Sequence, residues 1–163
     1  MSGFWFFSAP AVVEDYREED AVAMSNMHAD AFAHVWSSDE ISALLASDAV
    51  HALVIRRPNP YGTRALLGFV IYRNAADEAE ILTIAIDKRK RRKGLGQQLM
   101  EEVSRRLYAD RIDHLFLEVD ADNLPALTLY QKLGFAKVGE RQAYYTSGEK
   151  GAGTALIMRY NLR

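Results

Sequence analysis

A run of basic residues followed by two glycines gives the first indication of a binding site in this chain. Residues 88–93 are six consecutive lysines and arginines, and Gly94-Leu95-Gly96 follows them. Residues 81–86 before the run are apolar and mostly β-branched, which predicts a buried strand. Leu95, Leu99, Val103 and Leu107 after it are spaced as one face of a helix. A strand, a basic turn and a helix N-terminus together predict an anion site, because first-turn N–H groups lack partners within the helix.

The spacing of the glycines narrows the kind of anion site. A dinucleotide-binding turn needs a third glycine three residues after Gly96, where Leu99 stands. No Gly-Lys-Ser/Thr sequence is present, so a P-loop is excluded. The remaining pattern is Arg91-x-x-Gly94-x-Gly96, in which glycine lets a ligand approach the backbone closely. The predicted ligand is a phosphate or pyrophosphate group.

Length and composition bound the class of protein. A chain of 163 residues predicts a single domain over residues 1–163, with Phe4-Trp5-Phe6-Phe7 as an N-terminal arm within residues 1–9. A net charge of −2 argues against a general nucleic-acid binder. The absence of cysteine excludes disulfides, thiolate metal sites and a cysteine nucleophile, and it suits a cytoplasmic protein. The apolar runs are too short for a signal peptide or a membrane span.

Hydrophobic periodicity predicts alternating strands and helices. The predicted strands cover residues 10–16, 51–56, 64–73, 79–86, 114–120, 136–145 and 154–160. The predicted helices start at residues 17–20, 37–40, 94 and 123, and the first carries an apolar stripe through Val22, Met27 and Phe32. The crossover after Gly94 makes the strand at 114–120 parallel to its predecessor. The fold class is therefore mixed α/β, a central, mostly antiparallel sheet with one parallel pair and helices on both faces.

A second segment, residues 117–135, carries further chemistry. It contains Leu117-Glu118-Val119, Asn123, Ala126, Leu129-Tyr130 and Gly134-Phe135. With the glycine turn, it resembles the signature of the GCN5-related N-acetyltransferases (GNAT), and within them the bacterial ribosomal-protein-alanine N-acetyltransferases (RimI-like enzymes). The resemblance covers residues 80–158, and more weakly the N-terminal half, where Trp36-Ser37 takes part.

The resemblance implies an enzyme that uses acetyl-CoA as co-substrate and no metal. The implied pantetheine contacts are Ile84, Ala85, Ile86 and Asn123, and the implied pyrophosphate contacts are Arg91, Arg92, Lys93, Gly94, Leu95, Gly96 and Gln97. Glu118 would be the general base and Tyr130 the general acid, and Trp36, Tyr144 and Tyr145 would line the acceptor site. The implied partner is a protein or peptide N-terminus, with a ribosomal protein as the family example. No direct nucleic-acid or membrane partner is expected, and the oligomeric state is left open.

The chemistry of acetyl transfer is compatible with these roles. An α-amine has a pKa of about 7.7–8.0 and is mostly protonated at neutral pH, so it must lose a proton before it attacks. A carboxylate at the end of the Glu118 strand can take that proton, directly or through water. A backbone N–H near Ile84 or Ala85 can stabilise the developing oxyanion, and Tyr130 can protonate the leaving thiolate.

Other interpretations stay open at this point. Glu118 on its own is a solvent-facing strand-end carboxylate, and Tyr130 a helix residue packed against the sheet. The acceptor could be a lysine side chain or a small-molecule amine, since Gly153-Thr154 stands before Ala155 where the family commonly has an acidic residue. A third interpretation is a non-catalytic module that binds coenzyme A or nucleic acid. The four histidines show no metal-binding spacing and are expected to be structural or at the surface.

Overall fold

A computed structural model describes residues 9–58, 65–142 and 153–163. Within these residues seven strands form one sheet in the order β1-β2-β3-β4-β5-β7-β6. The strands are β1 (Val12–Asp15), β2 (Val50–Arg56), β3 (Leu66–Ala75), β4 (Glu78–Ile86), β5 (His114–Asp120), β6 (Ala136–Gln142) and β7 (Thr154–Asn161). The helices are α1 (Ala21–Ala31), α2 (Ser38–Leu45), α3 (Leu95–Ala109) and α4 (Leu124–Lys132), with short 3-10 turns at Glu18–Asp20 and Lys88–Lys90.

The sheet has the predicted mixed topology. β4 and β5 are parallel and pair from Glu78↔His114 to Glu80↔Phe116, and the other pairings are antiparallel. The apolar face of α3 packs on one side of the sheet with Leu115 of β5. On the other side, Met24 of α1 and Ile41 of α2 pack against the central strands. The prediction of a mixed α/β fold with one parallel pair and helices on both faces is confirmed.

The predicted apolar stripe of the first helix is wrong at Val22 and Phe32, whereas Met27 is half-buried and packs against the core. Val22 is 61% exposed, and Phe32 is the residue that follows the last turn of α1 and is 42% exposed. The buried face is formed by Ala21, Met24 and His28. The periodicity favoured the larger apolar side chains, whereas the buried face includes a small alanine and a histidine, which give little apolar signal.

A β-bulge in β4 separates this strand from β5. Ile71 of β3 is opposite Thr83, but its neighbour Tyr72 is opposite Ile81, so Leu82 is an extra residue in β4. An extra residue bends its strand and reverses the faces of the side chains that follow. Ile81 accordingly packs with α3, and Ala85 packs with α1 and α2. In the described registers β4 and β5 no longer pair after Glu80, and a cleft begins there.

Two predicted features lie outside the described residues: the Phe4-Trp5-Phe6-Phe7 arm, and the end of the predicted strand 136–145 with its Tyr144 and Tyr145. In the residues that the structure describes, no helix is both long and apolar enough to cross a membrane.

Candidate active site

A cleft of about 1050 Å³ opens where β4 and β5 separate. Most of the predicted site residues line it, namely Ile84, Ala85, Ile86, Arg91, Arg92, Gly94, Leu95, Gly96, Gln97, Glu118, Asn123 and Tyr130. Lys93 lies on the same turn, is exposed, and is not among the lining residues. The structure thus brings the glycine turn and the second segment, about thirty residues apart in sequence, to a single cleft.

One end of the cleft is basic and is built on the N-terminus of α3. Gly94 is the N-cap, adopts a left-handed conformation (φ +75°) and offers no side chain to cap the helix. The first-turn N–H groups therefore face the cleft without a side-chain cap, as an anion site requires. Lys90, Arg91 and Arg92 line this end, and Arg92 also has a positive φ (+63°), which is uncommon for a long side chain.

The first residues of the basic run contact carboxylates instead. Lys88 lies 4.0 Å from Asp30 at the end of α1. The backbone N–H of Arg89 donates to Asp87 (2.9 Å), and this hydrogen bond, with that from the Arg89 guanidinium, lowers the pKa of the Asp87 carboxyl. The structure therefore divides the run, with residues 90–92 at the cleft and residues 88 and 89 in ion pairs at its border.

Two glycines bring the backbone close to its neighbours around the cleft. A Cβ at Gly96 would lie 3.3 Å from Cδ2 of Leu129 in α4. A Cβ at Gly68 in β3 would lie 2.5 Å from Cδ1 of Ile86 and 2.9 Å from the Ala85 carbonyl oxygen. Gly68 therefore lets the end of β4 lie against β3. The sequence analysis did not single out Gly68, and only its position in an otherwise apolar strand could have drawn attention to it.

Glu118 and Tyr130 reach the cleft from opposite faces of the sheet. In β5, Leu117 and Val119 pack in the cluster of α3 and α4, so Glu118 between them projects to the face that carries α1 and α2. Tyr130 is buried with α3 and α4, where its ring packs against Phe135 at 5.8 Å between centroids. Burial raises the pKa of Tyr130 to about 12, so its hydroxyl is a hydrogen-bond donor at neutral pH.

An ion pair with Arg141 holds the Glu118 side chain. Nη2 of Arg141 in β6 lies 2.5 Å from Oε2 of Glu118, and the guanidinium reaches across β7 to make this contact. The Glu118 side chain is 36% exposed and that of Arg141 66%. This partner is not evident from the sequence, because the two residues are 23 positions apart on strands that are not neighbours.

The β5 wall of the cleft carries further carboxylates. Asp120 and Asp122 also line it, and Asp120 accepts a hydrogen bond from the backbone N–H of Asp122 (2.8 Å). A Cβ at Gly153 would lie 3.4 Å from Oδ2 of Asp120. A carboxylate from β5 thus occupies the space beside the residues where the family commonly has an acidic side chain, and a second one there would be repelled.

Three stacked rings lie at the end of α1, next to the cleft. The His28 ring lies between Phe32 (4.5 Å) and Trp36 (4.9 Å), and the backbone N–H of Trp36 donates to His28 Nδ1 at 3.4 Å. Burial, and secondarily the charge of His34, lowers the pKa of His28, which keeps the ring neutral. Phe32 lines the cleft, whereas Trp36 packs behind His28 and is not among the lining residues.

Asn123 has a structural role that it can combine with ligand binding. Its Oδ1 accepts a hydrogen bond from the backbone N–H of Ala126 (3.3 Å) and caps α4, as predicted. Its amide group lies at the cleft. Among the described residues, no cluster of three or more histidine, aspartate or glutamate side chains could hold a metal ion.

Comparison with known proteins relates this cleft to acetyltransferases. The acetyltransferase (GNAT) family matches residues 21–135. The ribosomal protein bS18-alanine N-acetyltransferase of Salmonella typhimurium is 37% identical over 93 residues, which are 57% of this chain and 62% of that enzyme. A Bacillus subtilis protein provisionally described as the same enzyme is 31% identical over 87% of this chain and 91% of its own length. The match to the Salmonella enzyme thus spans less than two thirds of that relative.

Solved structures share the fold over nearly the whole chain. The ribosomal-protein-S18-alanine N-acetyltransferase from Escherichia coli superposes with a TM-score of 0.80 at 26% identity and covers 94% of both chains. Arabidopsis thaliana NAA60 in complex with acetyl-CoA superposes with a TM-score of 0.79 at 18% identity, over 93% of this chain and 98% of NAA60, which is a likeness of fold alone.

Proposed function

The chain belongs to the acetyltransferase (GNAT) family, and from this premise we propose that it transfers the acetyl group of acetyl-CoA to the N-terminal α-amine of a protein. A ribosomal protein is the proposed acceptor, because the relatives from Salmonella and Escherichia coli are named for ribosomal protein bS18. The observation that carries the proposal is that a basic helix N-terminus, the unpaired edge of β4 and the carboxylate of Glu118 all line one cleft.

The basic end and the β4 edge suit coenzyme A. The N-terminus of α3, with Lys90, Arg91 and Arg92, offers N–H groups and positive charge to a pyrophosphate. The backbone of Ile84, Ala85 and Ile86 is not paired with β5, so it can hydrogen-bond the amide groups of a pantetheine arm as an added strand would. Asn123 on the opposite wall adds a side-chain amide. Bound in this way, acetyl-CoA supplies an activated acetyl thioester.

The carboxylates on the β5 wall suit a positively charged acceptor. Glu118 and Asp120 are in β5 and Asp122 follows it, all three line the cleft, and Arg141 balances one of these charges. Such a site attracts an ammonium group and repels an anionic acceptor. An α-amine (pKa about 7.7–8.0) gives up its proton more readily than a lysine side chain (about 10.4), so a carboxylate base is better matched to an N-terminus.

The proposed transfer assigns one task to each side chain. Glu118 accepts a proton from the ammonium group, directly or through water, and the freed lone pair forms the C–N bond. A backbone N–H of Ile84 or Ala85 stabilises the negative charge on the carbonyl oxygen. As the C–S bond breaks, Tyr130 donates a hydrogen bond to the sulfur. Two protons leave the nitrogen in total; one ends on the coenzyme A thiol and the other is released to solvent.

The burial of Tyr130 limits its role as an acid. Its pKa of about 12 exceeds that of an ordinary thiol, about 8.5, so complete proton transfer to a thiolate is unfavourable. A buried hydroxyl that remains protonated is nevertheless well suited to stabilise the charge that develops on sulfur. We therefore assign Tyr130 mainly to hydrogen-bond donation, with the final proton exchanging with water.

The proposal is tested by acetyl-CoA-dependent thiol release on a panel of acceptors. The panel holds peptides with a free alanine or serine N-terminus, the same peptides with a blocked N-terminus and one lysine, and simple polyamines. The chain has no cysteine, so a thiol reagent reports only released coenzyme A. We expect turnover with the free N-termini. Turnover confined to blocked lysine peptides or polyamines would mean that the acceptor is a lysine side chain or a small amine and not a protein N-terminus. Acetyl-CoA binding without any turnover would indicate a non-catalytic module.

A further inference from the structure

The cleft contains a buried hydroxyl that the proposed mechanism does not use. Thr83 of β4 is 6% exposed, lines the cleft, and its Oγ1 has no hydrogen-bond partner in the described part of the chain. A buried polar group without a partner destabilises the folded protein, so such groups are uncommon unless a ligand or water satisfies them. The position of Thr83 indicates which ligand group that would be.

Thr83 lies at the reacting end of the proposed donor site. The proposed pyrophosphate site is at the N-terminus of α3, and the proposed pantetheine contacts run back along β4 from Ile86 to Ile84. Thr83 is the next residue in that direction, so it is level with the acetyl group and the acceptor amine. This placement rests on the donor orientation in the proposed function.

The strand register places Thr83 opposite Glu118. Glu80 is paired with Phe116, and Glu118 is two residues further along β5. In β4 the matching position is Thr83, because Leu82 is the extra bulge residue and is not counted. Thr83 and Ala85 are two residues apart in β4, so their side chains are on the same face of the sheet, where Ala85 packs with α1 and α2. Glu118 projects to this same face. The hydroxyl and the carboxylate are therefore on facing walls of the cleft, at one level and on the acceptor side.

We propose that Thr83 Oγ1 accepts a hydrogen bond from the acceptor's primary amine and, with Glu118, directs the amine's lone pair at the thioester carbonyl. An ammonium group that has given one proton to Glu118 keeps two N–H bonds and gains a lone pair. The lone pair first points at the group that took the proton, and rotation about the Cα–N bond then directs one N–H bond to Glu118 or its water and the other to Thr83. The lone pair then has one direction left, towards the acetyl carbon, which is the orientation that transfer needs.

The isosteric substitution Thr83→Val tests this role, with Thr83→Ser as the variant that keeps the hydroxyl. We expect T83V to lower kcat/KM for an alanine-terminated peptide about tenfold, from the loss of one hydrogen bond to the reacting group, and T83S to keep most of it. The dissociation constant of acetyl-CoA should not change. The thermal midpoint of T83V should equal or exceed that of the wild type, since an unsatisfied hydroxyl has been removed. If T83V does not fold, Thr83→Ala replaces it in the comparison with T83S.

Thr128→Val is the matched control. The Thr128 hydroxyl lies on the exposed side of α4, donates to the Leu124 carbonyl oxygen at 2.9 Å, and is not among the residues that line the cleft. The control removes a hydroxyl of the same type and should leave kcat/KM unchanged.

A secondary amine gives a second readout. An otherwise identical peptide that starts with N-methylalanine has one N–H bond fewer and cannot donate to both Thr83 and Glu118. The wild type should prefer the primary amine, and T83V should reduce that preference. If T83V and the wild type have equal kcat/KM on the alanine peptide, the inference about Thr83 is wrong but the proposed function stands. The same holds if weaker acetyl-CoA binding explains the loss. Failure of the wild type to acetylate the alanine peptide would instead overturn the proposed function and the inference with it.

Discussion

At the scale of single residues, Glu118 has two positively charged partners in the proposed cycle: Arg141 and the acceptor ammonium. Arg141 contacts Oε2, and its guanidinium is mostly exposed, so water and salt weaken the pair. The amine can approach the carboxylate while Arg141 holds the side chain against β7. We infer that Arg141 positions the base rather than blocking it.

Replacement of Glu118 by Gln separates its chemical role from binding. The amide has nearly the same shape but cannot accept a proton, so we expect turnover to fall by about 100-fold or more. The affinity for acetyl-CoA, measured by titration calorimetry, should stay at the wild-type value. Glu140→Gln on β6 is the control, since Glu140 pairs with Lys137 and does not line the cleft. Wild-type turnover in E118Q would show that another group is the base.

At the scale of elements, the junction of β4 and α3 decides where the donor can bind. The sequence predicted this strand, turn and helix, because a β-branched run, basic residues and a helical stripe follow one another. It did not predict the bulge at Leu82. A continuous apolar run has no alternation of polar and apolar residues, so an extra residue leaves no signal in it. Thr83 was missed for the same reason, since its face could not be assigned.

Gly96→Ala tests the close packing at the start of α3. The added methyl would lie 3.3 Å from Cδ2 of Leu129, which must move by a few tenths of an ångström, and it would crowd a phosphate at the N–H groups of the proposed anion site. We expect the dissociation constant of acetyl-CoA to rise about tenfold, which corresponds to about 1.4 kcal/mol. Gly139→Ala is the control, because its Cβ would make an ordinary 3.5 Å contact with Ile157. Unchanged affinity in G96A would place the pyrophosphate elsewhere.

At the scale of the whole molecule, the two faces of the sheet would serve different ligands in the proposed reaction. β1, β2, β3 and β4 form one half and β5, β7 and β6 the other, and the cleft opens between β4 and β5. Tyr130 lies on the α3–α4 face, and Glu118 projects to the α1–α2 face. In the proposed reaction the leaving thiol and the incoming amine are thus handled from opposite faces.

The sequence predicted most of the fold, and most of the predicted site residues that the structure describes line the cleft. Local patterns were sufficient to predict the turn at Gly94 and Gly96 and the helix cap at Asn123, since each depends on a few neighbouring positions. Contacts that depend on strand order were not predictable: Arg141 meets Glu118 only because β7 lies between their strands. The buried face of α1 was also mispredicted, because a small alanine and a neutral histidine give no apolar signal.

The most direct test of the proposed function is the site of acetylation in one peptide that carries both amines. The peptide begins with a free alanine and contains a single internal lysine, and its singly acetylated product is sequenced by tandem mass spectrometry. Fragment masses locate the acetyl group on the α-amine or on the lysine side chain. We predict acetylation of the alanine α-amine, in the wild type and not in E118Q. Acetylation of the lysine alone would contradict the proposed function while leaving the fold and the family unchanged.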